Sequence, residues 1–122
     1  MSYEIEALGD NIVKFGFEGY IDDETAEAFT AELQPHIDQA TPENPIYLLS
    51  GSSATPQASR GARQTFVSIM KNPAIANIAV TQTNPFIKVL TTFIVRAAGR
   101  GEVINFFKTE KEGLQWLKEQ RK

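Results

Sequence analysis

Residues 46–71, IYLLSGSSATPQASRGARQTFVSIMK, constrain the fold more than any other stretch. Ile46 to Leu49 is a short unbroken apolar run, the pattern of a central strand buried on both faces. A loop of small and hydroxylic residues follows, from Ser50 to Ala54. Thr55-Pro56 reads as a helix start, with threonine as N-cap and proline at the first helical position. Ala58, Ala62, Phe66, Ile69 and Met70 then form an apolar stripe, and Asn72-Pro73 stops the helix. A strand that feeds a helix through a small-residue loop builds the ligand end of an α/β sheet, because ligands there sit beyond the carboxyl ends of the strands.

The flanking chain fits around this unit. Ser2 to Leu8 and Ile12 to Glu18 alternate apolar and polar residues about a Gly9-Asp10-Asn11 turn, which predicts an antiparallel hairpin toward a sheet edge. Asp22-Asp23-Glu24 opens a helix, where carboxylates cap free N–H groups. Ala26, Phe29, Leu33 and Ile37 supply its apolar face, and Pro35 predicts a kink or break near Leu33 with a short continuation to about Gln39. Ile75 to Thr81 is a further strand. Asn84-Pro85 starts a helix running to about Ala98, closed by Gly99-Arg100-Gly101. Glu102 to Phe107 is the last strand, and the capping box Thr109 to Glu112 opens a final helix carrying Leu114, Trp116 and Leu117. The order is β-β-α-β-α-β-α-β-α in one domain, residues 1–122, with right-handed crossovers and a mostly parallel sheet.

Composition bounds the chemistry. The 122 residues are 42% hydrophobic and 22% charged, ordinary globular values. There is no cysteine, which excludes thiol catalysis, zinc–thiolate sites and disulfides. No signal peptide is visible, and the longest apolar region, Pro85 to Ala98, contains Lys88 and Arg96 and falls short of the ~20 residues that span a bilayer. A soluble cytoplasmic protein is expected. The net charge of −3 makes no case for nucleic acid, but its distribution is uneven. Residues 1–50 hold eleven acids and one base, and residues 51–122 hold four acids and eleven bases. Either the halves neutralise each other across the surface, or a bipolar surface steers an anionic partner or aligns two subunits.

The pieces IYLLSGSS, TPQASRGAR, NIAVTQTNPFIKVLTTFI and INFFKTEKEGLQWL, in this order and spacing, resemble the STAS superfamily, specifically its SpoIIAA-like (STAS/SEC14-type) bacterial branch. The resemblance covers nearly the whole chain. It implies an α/β, SpoIIAA-like fold: a five-stranded, mostly parallel mixed sheet with an antiparallel N-terminal hairpin and four helices. Anti-sigma-factor antagonists in the wider superfamily are switched by phosphorylation of a serine at the helix start after the third strand, usually within D-S-S-G. An ungapped match puts Gln57 and Ala58 near that serine pair, and Ser59 takes the role only by a shifted alignment. Leu48 stands where an aspartate is expected before L-S-G.

The residues suited to binding at the loop and helix start are Ser50, Ser52, Ser53, Thr55, Ser59, Arg60 and Arg63, which offer hydroxyls and guanidinium groups at a helix N-terminus. Turn chemistry and solvated helix surface account for the same residues. No nucleotide fingerprint is present. The lone histidine, His36, lies far off in the first helix, so serine catalysis lacks its base. No metal ligand set and no cofactor motif appear. The apolar residues of the 86–98 helix cover an arc of roughly 180°, more than the ~100° that one sheet face needs. Phe86, Val89, Leu90, Phe93 and Ile94 therefore meet a neighbouring element, a dimer partner or an apolar ligand. The expected function is a non-catalytic regulatory or protein-interaction module, homodimeric, with a regulatory protein as partner. The alternatives are a carrier or sensor of a small apolar or lipid ligand, and a phospho-regulated anti-sigma-factor antagonist.

Overall fold

The computed structural model describes residues 3–50, 57–81, 92, 96–99 and 103–121. In chain order the elements are β1 (Tyr3–Gly9), β2 (Ile12–Phe17), β3 (Tyr20–Ile21), α1 (Asp23–Asp38), β4 (Ile46–Ser50), β5 (Gln57–Ala58), α2 (Arg60–Met70), β6 (Ile75–Val80), β7 (Ile104–Phe106) and α3 (Glu110–Arg121). Five strands form the main sheet in the order β1-β2-β4-β6-β7. Only β1 is antiparallel, and every other neighbouring pair is parallel. The architecture is the mixed α/β one read from the sequence, with the hairpin at the edge.

The hairpin turn rests on three consecutive residues at positive φ: Gly9 at 88°, Asp10 at 56° and Asn11 at 60°. Glycine carries no Cβ penalty there, and the short polar side chains of Asp and Asn tolerate it. Asn11 Nδ2 also donates to the Asn44 carbonyl at 2.8 Å, which ties the turn to the loop before β4. Strand β4 is buried on both faces, as its apolar run requires. On one face Val13, Phe17, Leu48, Ile78 and Val80 pack against Phe29 and Leu33 of α1 and Ala62 and Met70 of α2. On the other face Ile12, Tyr47, Leu49 and Ala79 pack against Leu117 of α3.

Helix α1 buries the four residues its spacing predicts, Ala26, Phe29, Leu33 and Ile37. The expected break near Leu33 is replaced by one continuous helix to Asp38. Pro35 lies on the exposed face, so the Ala31 carbonyl that loses a partner faces water. Leu33 and Ile37, buried before and after the proline, hold both turns on the sheet.

The start of α2 is also corrected. Thr55 is not its cap: the helix begins at Arg60 with Ser59 as N-cap. Gln57 and Ala58 are extended instead and pair in parallel with Tyr20 and Ile21, a two-residue ribbon separate from the main sheet. The Ser59 N–H continues that ribbon, donating to the Ile21 carbonyl at 2.9 Å. Long-range pairing has overridden the local Thr-Pro signal. The stop at Asn72-Pro73 holds, with Lys71 as C-cap.

The helix expected over 86–98 falls mostly outside the described residues, which show Thr92, Arg96 and Ala97 as helical. Gly99 at φ 77° follows, its N–H donating to the Arg96 carbonyl at 2.9 Å, which is the glycine stop expected there. Helix α3 begins at the expected box: Thr109 Oγ1 accepts from the Glu112 N–H at 3.1 Å and donates to Glu112 Oε1 at 3.1 Å. Its buried Gly113 lets the helix lie close on the sheet, since a Cβ there would stand 2.9 Å from Thr81 Cγ2 and 3.1 Å from Leu49 Cδ1. Lys14 pairs with Glu110 at 2.9 Å, and Arg121 Nε donates to the Asp10 carbonyl at 2.9 Å, so both ends of α3 are tied to the hairpin.

Candidate functional site

Helices α1 and α2 begin side by side at the carboxyl end of the parallel strands. Each start is capped from its own sequence. Asp22 is the N-cap of α1, and its Oδ1 accepts from the Thr25 N–H at 2.7 Å. Hydrogen bonds from the Thr25 side chain and then its backbone hold the Asp22 carboxyl below the ordinary 3.8. Ser59 is the N-cap of α2, and its Oγ accepts from the Ala62 N–H at 3.0 Å.

The two starts are also joined to each other. The Ser59 hydroxyl donates to Asp23 Oδ1, across 36 positions of sequence. The Asp23 carboxylate lies over Gly61, where an added Cβ would come within 2.6 Å of Asp23 Cγ. A side chain at position 61 would push the carboxylate off. Asp23 thus occupies the place where an external anion would meet the N–H groups and positive end of α2. The Ser59 hydroxyl accepts from the helix and spends its one proton on the carboxylate.

The sequence-predicted binding residues separate into three sets. Ser59, Arg60 and Arg63 are brought together on the first turn of α2, with both arginines exposed. Ser50 is not in the loop but is the last residue of β4, half-buried, with its carbonyl taken by Thr81 Oγ1 at 2.6 Å and the Thr81 N–H at 3.1 Å. Ser52, Ser53 and Thr55, and with them Phe86, Val89, Leu90, Phe93 and Ile94, lie outside the described residues. Asp23, Gly61 and Tyr20 were not among the sequence candidates. The β3–β5 ribbon sets Tyr20, 57% exposed, directly opposite Gln57, two residues before Ser59. Asp22 and Asp23 read as cap residues in the sequence, but nothing local tells which of them reaches a second helix.

Chemically the region about the two helix starts is a set of contact groups. It offers an aromatic ring, two guanidinium groups, an amide and a hydroxyl–carboxylate pair. His36 stands in the last turn of α1, thirteen residues or about 20 Å along the axis from Asp23, so it does not serve Ser59 as a base. Among the described residues no group of three His, Cys, Asp or Glu side chains is placed to hold a metal, and no helix is long and apolar enough to cross a membrane.

Comparison with known structures completes the picture. No family model matches the sequence, and no curated protein does. Among the solved structures that match, two superpose almost end to end. An uncharacterized protein of the DUF3478 family with a SpoIIAA-like fold, from Shewanella loihica PV-4, superposes with a TM-score of 0.68 at 17% identity, over 94% of this chain and 91% of that one. The Bacillus cell fate determinant SpoIIAA, in its phosphorylated form, superposes with a TM-score of 0.65 at 14% identity, over 94% of this chain and 98% of that one.

The fold is SpoIIAA-like. Within this SpoIIAA-like frame, α2 is the helix that follows the third strand of the main sheet, and Ser59 opens it. At these identities the likeness carries the architecture.

Proposed function

We propose that the protein is a cytoplasmic, non-catalytic regulatory module that docks another protein through the carboxyl end of its sheet and works as a homodimer. The observation that carries the docking is the exposed cluster of Tyr20, Gln57, Arg60 and Arg63 around the Asp23–Ser59 junction. Tyrosine and arginine are the residue types that concentrate binding energy at protein interfaces. Here a ribbon and a capped helix hold their backbone, so binding has only the side chains to order. The SpoIIAA-like fold is consistent with this role. The test is capture of partners from the native host, identification by mass spectrometry, and titration of the purified partner against wild type and Tyr20→Ala/Arg63→Ala. The double variant is expected to bind at least about tenfold more weakly, the loss of roughly one interface hot spot. Equal affinity would remove the docking surface.

One observation favours a second reading. Ser59 caps the helix after the third main strand, where the resemblance implies a switch serine, and one of the similar structures is of a phosphorylated form. A phosphate on Ser59 would still accept from the N–H groups of α2, but it would set about two negative charges beside Asp23 and turn a bond between helix starts into a repulsion. Intact-mass and peptide mapping of protein from its native host, with and without phosphatase, tests this. A phosphoryl mass on Ser59 supports the switch, and an unmodified Ser59 under every growth and stress condition removes it.

A further inference from the structure

Helices α1 and α2, which share one sheet face, are segregated by charge. The exposed charged residues of α1 are Asp23, Glu24, Glu27, Glu32 and Asp38, all acidic. Those of α2 and its C-cap are Arg60, Arg63 and Lys71, all basic. The helices pack against each other, yet among the described residues no ion pair joins them; the two ion pairs there bind α3 to the hairpin. Ala26, Phe29, Leu33 and Ile37 face the sheet, so the opposite side of α1 carries Glu24, Ala28, Ala31 and Pro35, with Glu27 and Asp38 on its flank. On α2 the buried Ala62, Ile69 and Met70 leave Arg60, Gln64 and Lys71 outward. The outer surface is a negative ridge beside a positive one, with short uncharged side chains along the middle of α1.

We infer that the partner on this face is a second copy of the chain, related by a two-fold axis running parallel to the helices above the groove between them. That axis lays α1 of each copy over α2 of the other, and acid meets base twice. An axis across the helices would instead lay α1 on α1 and α2 on α2, opposing like charges throughout. The levels agree with the first arrangement. The Asp23 contact with Ser59 and Gly61 sets the two helix starts side by side. At about 1.5 Å per residue, Glu24 then stands within about 2 Å of the level of the partner's Arg60, and Asp38 within about one turn of the partner's Lys71, a gap a lysine side chain spans. Exposed ion pairs contribute little singly, so the dimer is a weak, salt-sensitive one.

The inference rests only on the homodimeric part of the proposed function, and its face shares Arg60 with the docking cluster but not Tyr20 or Gln57. Sedimentation equilibrium of the full chain tests it, at about 0.02 M salt and at about 1 M, where the Debye length falls to about 3 Å. Wild type is expected to dimerise at low salt and to weaken at least about tenfold at high salt. Glu24→Lys/Glu27→Lys and Arg60→Glu/Lys71→Glu are each expected to be monomeric where wild type is dimeric. Mixed one to one they are expected to form a heterodimer, because each reversed helix then meets its complement. Circular dichroism checks that both remain folded. Should a reversal unfold, Glu24→Gln/Glu27→Gln and Arg60→Gln/Lys71→Gln take their place, each expected to weaken the dimer about threefold or more. A monomeric wild type at low salt, an undiminished dimer in either variant, or a mixture of reversals that stays monomeric overturns the inference. Tyr20→Ala, which lies outside both helices and removes no charge, should dimerise as wild type does while docking is weakened, so loss of docking and loss of dimer are read separately.

Discussion

Ser59 is the residue on which the local chemistry turns, because one hydroxyl serves two helices. Ser59→Ala removes the α2 cap and the donor to Asp23 together. It is expected to cost about 1 kcal/mol of stability, the ordinary worth of a cap, read as a lower urea midpoint at unchanged slope. Asp22 gives a pH-dependent counterpart. Its carboxyl is held below the ordinary 3.8 when folded, so it contributes stability that is present above that value and lost as pH falls through the lowered one. Asp22→Asn keeps a capping oxygen but does not titrate. The stability difference between wild type and Asp22→Asn should therefore be constant near neutrality and shift against wild type over the pH range from 3.8 downward. A difference independent of pH over that range would contradict the assignment. Asp22 was legible as a cap, since its signal lies within three residues. Asp23 was not legible as a link, since its partner lies 36 positions away.

At the scale of elements, two signals set tertiary packing against local preference. Pro35 reads as a break, yet Leu33 and Ile37 are buried on either side of it and carry the helix through. Replacing Pro35 with Ala restores a backbone donor on an exposed face. It is expected to stabilise the protein by about 1–3 kcal/mol in chemical denaturation, the proline penalty less the entropy it removes from the unfolded chain. Leu33→Ala, at a site with no exposure, is expected to cost about 2–5 kcal/mol. Gly113→Ala gains helix propensity but forces a methyl against Thr81, Leu49 and Ala79. Overpacking of this kind costs about 1–3 kcal/mol, so a net loss of stability is expected, and a gain would show that α3 lifts freely from the sheet. The elements β2, α1, β4 and α3 were readable because their signals are local: an alternating sequence, helical spacing, an unbroken apolar run and a capping box. The β3–β5 ribbon was not, because two residues carry no period, and Gln57-Ala58 sits inside a stretch whose Thr-Pro signal argues for helix. That ribbon is what positions Tyr20 and moves the start of α2 to Ser59.

For the whole molecule, the mostly parallel sheet follows from the alternation of strands and helices and the antiparallel edge hairpin from two alternating runs about a short turn, and the SpoIIAA-like comparison agrees with that architecture. The charge asymmetry between the halves of the chain was also visible in sequence. Its segregation onto two neighbouring helices was not, because that depends on which faces the sheet covers. The proposed docking cluster and the proposed dimer face share Arg60 but differ at Tyr20 and Lys71, so separate variants test the two readings. The most direct test of the account is amide hydrogen exchange of the chain alone and with its purified, captured partner. Slowed exchange is expected over residues 20–25 and 57–63, where the ribbon and the two helix starts meet. Protection confined to other residues, with those two segments unchanged, would contradict the account.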